Sequence, residues 1–125
     1  MANFVTEDGL PWKTVADGVE RKVIASQHEM VVLCRYTKSI VAPAHRHPEE
    51  LISYVIAGRI ELIVGEEQET TFECPAGSFY LVESNMLHGA RVDAGTIEIN
   101  AFSPPRSEYL DKAVTNAQPE TLPAM

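Results

Sequence analysis

Pro43-Ala44-His45-Arg46-His47-Pro48-Glu49-Glu50-Leu51-Ile52-Ser53-Tyr54-Val55-Ile56-Ala57-Gly58 is the stretch on which the fold turns. It opens on two histidines one residue apart and closes on a run of strand formers that stops at glycine. Successive strand side chains point to opposite faces, so this spacing sends His45 and His47 to the same side. Ser53 and Val55 share that inward face. Ile52, Tyr54 and Ile56 stand on the other, so the strand is apolar on both sides and reads as buried on both. Two imidazoles on one face at the start of such a strand are the beginnings of a divalent metal site in a β-barrel. A third histidine, His88, lies far along the chain, and the rest of the sequence reads as the scaffold that brings it to the first two.

On the amino-terminal side, Val15 to Ile24 reads as one or two short strands interrupted at Gly18, and Met30 to Thr37 as a strand by its β-branched and aromatic content. Ser26-Gln27-His28-Glu29 between them is a turn, with His28 a solvated loop histidine. Trp12, after the breaker Gly9-Leu10-Pro11, is expected to anchor residues 1–14 onto the domain. On the carboxyl-terminal side, strands are expected at Leu51–Ile56, Arg59–Val64, Glu69–Glu73, Ser78–Val82, Gly89–Val92 and Thr96–Phe102, with His88 just past a loop. Ser107 to Val114 has room for one helical turn or two. No amphipathic run with a 3.6-residue period interrupts this series, and short strands with turns every eight to twelve residues mean a β-sandwich or barrel.

Composition sets the outer bounds. At 125 residues the chain is one domain, expected as a barrel over 15–112 followed by a disordered tail over 113–125. A net charge of −8 argues against nucleic acid or an anionic membrane as partner. No apolar run is long enough to span a bilayer. The start, Met1 to Asp8, lacks the basic head and apolar core of a secretory signal. Cys34 and Cys74 have no metal-ligand spacing and read as small buried hydrophobes, with a reducing cytoplasm as the expected compartment.

Taken together, these residues resemble the two motifs of the cupin superfamily of jelly-roll β-barrels. His45-Arg46-His47 through Tyr54-Val55-Ile56-Ala57-Gly58 looks like the first motif, and Pro75-Ala76-Gly77 through His88 like the second. Within the superfamily the chain is similar to the pectin-degradation cupins, which convert unsaturated monouronates to open-chain keto sugars. The likeness is carried by His-x-His-Pro, by Tyr-Val-Ile-Ala-Gly and by the ending Phe102-Ser103-Pro104-Pro105-Arg106-Ser107-Glu108-Tyr109-Leu110. It implies one divalent metal ion per chain on His45, His47 and His88, with Phe102 and Arg106 in the pocket. There are two departures. The family's fourth ligand falls at Leu51, and its catalytic aspartate is Asn100 here. Glu50, the nearest carboxylate to the missing ligand, is one residue out of register and is expected to face away.

Three neutral imidazoles leave a bound ion its full charge and open positions for substrate, and they accept Zn, Ni, Fe or Mn. Loss of a fourth ligand makes such an ion a stronger Lewis acid and a more weakly held one. Asn100 shares a strand face with Phe102. It can orient a substrate or a water but cannot act as a base at neutral pH. Arg106 suits a carboxylate by bidentate pairing. Three functions follow as expectations: an isomerase- or lyase-like enzyme on an unsaturated uronate or a keto or sugar acid; a three-histidine iron dioxygenase; and a non-catalytic cupin that binds a small molecule. The apolar outer face of Ile52, Tyr54 and Ile56 needs cover, from the amino-terminal segment or a second subunit, and a two-fold homodimer is the expected form.

Overall fold

The computed structural model describes residues 2–112 and 114–115. The strands are β1 (Lys13–Ala16), β2 (Val19–Ala25), β3 (Met30–Tyr36), β4 (Ile40–His45), β5 (Glu50–Ala57) and β6 (Arg59–Val64), then β7 (Thr70–Pro75), β8 (Phe79–Val82), β9 (His88–Val92), β10 (Ile97–Ser103) and β11 (Val114–Thr115). Short 3₁₀ helices at Glu7–Gly9 and Ser107–Lys112 flank the series. One sheet runs β1-β2-β3-β10-β5-β8, with β11 beside β2, and the other runs β4-β9-β6-β7. All pairings are antiparallel except β11 with β2. This is an all-β fold of two sheets, as the strand pattern predicts, in the jelly-roll form that the cupin resemblance implies.

Alternation sets what faces the interior. The larger sheet carries three inward rows, which the strand registers define. Arg21, Cys34, Glu98 and Val55 lie side by side across β2, β3, β10 and β5, as do Val23, Val32, Asn100 and Ser53, and then Ala25, Met30, Phe102 and Leu51. The last of these rows is apolar and the other two are mixed, so polar groups are buried within the barrel. Ile60, Leu62 and Val92 close the core from the smaller sheet. Both cysteines are free and buried, as expected of small hydrophobes.

The strands expected from the sequence agree with the observed ones to within a residue or two, Arg59–Val64 at both ends, but β4 and β11 are not among them. Gly58 makes the tight β5–β6 connection with φ +80°. His28 is exposed in its turn, and Glu50 faces solvent. Trp12 anchors the amino-terminal segment on the outside of β2 and β3, with Arg35 Cζ 4.1 Å and Lys22 Nζ 4.7 Å from its ring centroid. Of the segment read as a tail, Val114 and Thr115 form β11, and 116–125 lie outside the described residues. One expectation is corrected: β5 does not bury both faces, because Ile52 and Ile56 are exposed in the single chain. No helix among the described residues is long and apolar enough to cross a membrane.

Candidate metal centre

His45, His47 and His88 converge, but not by the route that alternation suggests. His45 is the last residue of β4, and His47 lies in the loop before β5 rather than on a strand. Ala42 and His45 line the same cavity although they are three residues apart. Their facing partners on β9, Ala90 and His88, are only two apart. The extra residue makes a bulge at Pro43-Ala44, which turns His45 inward and sets it directly opposite His88. Gly89 is matched to that bulge: a Cβ there would stand 2.8 Å from the Ala42 carbonyl oxygen and 3.1 Å from the Ala44 nitrogen. The loop carrying His47 is held by the Asn85 N–H, which donates to the His47 carbonyl at 2.8 Å. Between the two histidines, Arg46 points outward to an exposed ion pair with Glu66. The expectation that the histidine pair opens a strand is therefore corrected: a bulge and a loop bring the two rings to one side.

The three rings share one hydrogen-bond arrangement. His45 Nδ1 lies 2.9 Å from the Pro43 carbonyl, His47 Nδ1 2.9 Å from that of Glu49, and His88 Nδ1 2.9 Å from that of Met86. A carbonyl only accepts, so each Nδ1 carries the proton and donates it, and each Nε2 keeps its lone pair. One ligand nitrogen from each ring lies within 4.8 Å of the other two. The Nε2 of His47 is buried with no hydrogen-bond partner among the described residues. Burial, and next the charge of Arg106, hold the His47 imidazolium below its ordinary range. Burial is also the main force lowering His88, to about 4, against the opposing pull of the Met86 carbonyl. Converging Nε2 atoms on rings whose orientation is set by the carbonyls behind are what a divalent ion requires. The donor set fits one ion.

The cavity beside the rings measures about 120 Å³. Leu51, Asn100, Phe102 and Arg106 all line it, so the sequence-predicted pocket residues do meet there. Leu51 faces inward from β5 and brings no ligand. Asn100 is 9% exposed and engaged at both ends of its amide. Its Oδ1 accepts from Ser53 Oγ at 2.5 Å, and its Nδ2 lies 3.6 Å from Cys34 Sγ. Phe102 stands edge-on to His47 with ring centroids 5.8 Å apart. Arg106 follows β10 and folds back over Phe102, its Cζ 5.4 Å from that ring. It pairs with Glu108 and donates to the Tyr109 hydroxyl at 3.1 Å. A larger cavity of about 600 Å³ lies between β7 and β8, lined by Phe72, Phe79 and Leu81 among others, but no histidine reaches it. Volume does not mark the chemistry here.

The family model for the cupin domain matches residues 32–98, which is more than half the chain. The chain belongs to the cupin family. Among curated proteins this cupin is similar to the pectin degradation protein KdgF of Dickeya dadantii (strain 3937), 28% identical over 113 residues, spanning 88% of this chain and 100% of that one. Its fold matches the structure of KdgF from Halomonas sp. with a TM-score of 0.78 at 23% identity, covering 86% of this chain and 98% of that one. An RmlC-like cupin from Shewanella frigidimarina NCIMB 400 superposes equally well, with a TM-score of 0.78 at 24% identity over 87% of this cupin and 96% of its own chain. The likeness to pectin-degradation cupins that the motifs carry is thus met again over most of the chain.

Sequence reasoning missed Glu98 and Arg21, which also line the histidine cavity. Glu98 is 3% exposed and accepts from Tyr36 Oη at 2.7 Å and from Tyr80 Oη at 2.6 Å. Burial raises its pKa, while the tyrosine hydrogen bonds and the charge of Arg21 pull the other way. Burial and then the charge of Glu98 push the Cys34 thiol up to about 12, so that cysteine stays protonated. The missed signal was simple alternation: Glu98, Asn100 and Phe102 are every second residue of one strand, and Arg21 falls between Val19 and Val23 in the same way.

Proposed function

We propose that this cupin is a metal-dependent enzyme acting on a small oxygenated acid, an unsaturated uronate or a keto or sugar acid. The observation that carries this reading is the convergence of three imidazole lone pairs on a cavity that also presents the Arg106 guanidinium. The cavity of about 120 Å³ beside the rings suits the reacting end of a small acid. Likeness to proteins named for pectin degradation supports a sugar acid. One divalent ion on His45, His47 and His88, whether zinc, nickel, iron or manganese, would supply Lewis-acid polarisation of a substrate oxygen and a more acidic water.

The chain's own residues do the rest. Arg106 pairs with the substrate carboxylate, and Phe102 packs against its carbon skeleton and keeps water from that side, while Asn100, its amide engaged by Ser53 and Cys34, holds the wall between them. Asn100 cannot accept a proton at neutral pH, which leaves Glu98 as the group able to hold one, reached through the hydroxyl of Tyr80 or Tyr36. The test is to incubate metal-loaded protein with an unsaturated uronate and follow loss of the ring double bond by ultraviolet absorbance and NMR. Arg106→Ala is expected to lower kcat/KM by roughly 30-fold, about 2 kcal/mol, because a truncated carboxylate partner leaves the substrate charge unpaired. Saturable binding with no turnover would instead make this a binding cupin.

A second reading, a three-histidine iron dioxygenase, is favoured by Leu51, which places an apolar side chain where a carboxylate ligand would neutralise the ion. Substrate-dependent oxygen uptake by the iron-loaded protein, with zinc-loaded protein inert, would select it.

The homodimer belongs to the same reading. On the outer face of the larger sheet, Val31, Ala101, Ile52 and Leu81 stand side by side across four strands, and Ile99, Tyr54 and Phe79 form the next row. Ile52 is 54% exposed, Leu81 56% and Phe79 73%. Trp12 lies on β2 and β3, which leaves the face to a second copy of the chain. Sedimentation should find two chains at micromolar protein and one for Ile52→Lys; a monomeric wild type would remove the dimer from the account.

A further inference from the structure

Among the described residues, three buried side-chain polar atoms lack a hydrogen-bond partner: His47 Nε2, Arg21 Nε and Arg106 Nε. All three belong to residues lining the histidine cavity. A metal ion accounts for the first. The other two are guanidinium donors withdrawn from water without an acceptor, an arrangement that disfavours the empty cavity and favours one holding an anion.

Arg21 comes to the cavity from β2, and Arg106 from the segment after β10. Its strand faces Val19, Arg21, Val23 and Ala25 inward, and the 3₁₀ helix at Ser107–Lys112 packs against that strand, laying Tyr109 over Arg21. The Arg21 Cζ is 4.4 Å from the Tyr109 ring centroid and the Arg106 Cζ is 4.6 Å from the same centroid. One ring thus fixes both cations by cation–π contact. Arg106 has Glu108 at the surface as its partner. On the row that contains Arg21, the nearest acid is Glu98, beyond Cys34, and both of its oxygens are already taken by tyrosine hydroxyls. The charged side chains lining this cavity are two cations and one acid, Glu98, in a protein of net charge −8, an excess of positive charge that favours a small anion there.

We propose that Arg21 and Arg106 together receive the carboxylate of the substrate, and that Arg21 is the residue that sets the preference for an acid over the corresponding neutral sugar. The inference rests on the reading of this cavity as a substrate site, and it is independent of the ion. Its geometric content is that the carboxylate lies beside Tyr109, with Phe102 between it and His47.

The test uses the full-length protein, D-glucuronate as probe and D-glucose as its neutral counterpart, with affinities from calorimetric titration and metal content measured on every sample. Wild type should bind glucuronate at least about tenfold more tightly than glucose. Arg21→Gln should lose that preference, weakening glucuronate by about tenfold or more and leaving glucose unchanged, while Arg21→Lys retains part of it. A purely structural role is read separately. Arg21→Gln should still melt cooperatively without ligand, yet lose the rise in Tm that glucuronate gives wild type. Arg21→Gln that prefers glucuronate as wild type does would overturn the inference and leave the proposed function standing. A wild type that does not distinguish the two sugars would overturn both this inference and the carboxylate reading, with the metal content still judging the histidine site alone.

Discussion

His88→Ala is expected to cost the protein its metal, with affinity falling at least about 100-fold. Removing a residue behind a ligand already costs 10- to 100-fold in known metal sites, and the ligand itself carries more. His88 is 5% exposed, and its Nδ1 is held by the Met86 carbonyl, so no neighbouring donor can swing into its place. Leu51 offers no lone pair, which leaves His45 and His47 as the remaining pair of ligands. The rise in Tm that zinc or nickel gives wild type should vanish in the variant, since an ion that no longer prefers the folded state cannot stabilise it. Competition against a chelating dye reads the affinity directly. Retention of wild-type affinity would mean that the ion sits elsewhere.

Gly58→Ala should destabilise the fold by about 3 kcal/mol or more, lowering Tm by roughly 10 °C. The residue has φ +80°, and a Cβ there would stand 2.3 Å from Thr96 Oγ1 and 2.6 Å from Thr96 Cα. Backbone cannot yield as a flexible side-chain tip can. Thr96 is fully buried, and its hydroxyl both accepts from the Arg59 N–H at 3.0 Å and donates to the Arg59 carbonyl at 3.1 Å. Displacing it would break the junction of β5, β6 and β10, where the two sheets meet. Urea unfolding monitored by the single tryptophan measures the loss. A variant within 1 kcal/mol of wild type would show that the β5–β6 turn can relax.

The motif that made Gly58 legible in the sequence is physical: a strand that must end where it meets another backbone ends on the residue without a Cβ. The same kind of reasoning placed Leu51, Ser53 and Val55 inside and Glu50 outside, because parity along one strand needs no partner. It failed at His45. A bulge is a property of two strands in register, and the extra residue at Pro43-Ala44 shows only against β9, which lies more than forty residues away. Asn100 was readable as a pocket residue, but the hydroxyl and thiol that occupy its amide come from β5 and β3, so its lack of a free group was not. Arg21 and Glu98 were within reach of parity. They were passed over because a charged residue in a strand ordinarily faces water, and here two tyrosine hydroxyls and a tyrosine ring make the interior hospitable to them.

Elemental analysis of the protein purified without chelators tests the three-histidine centre most directly. About one divalent ion per chain is the predicted result, present in wild type, absent from His45→Ala and His88→Ala, and restored to neither by soaking. Wild-type protein that stays free of metal after exposure to zinc, nickel, iron and manganese would contradict the three-histidine centre and leave a cavity that binds without Lewis-acid chemistry.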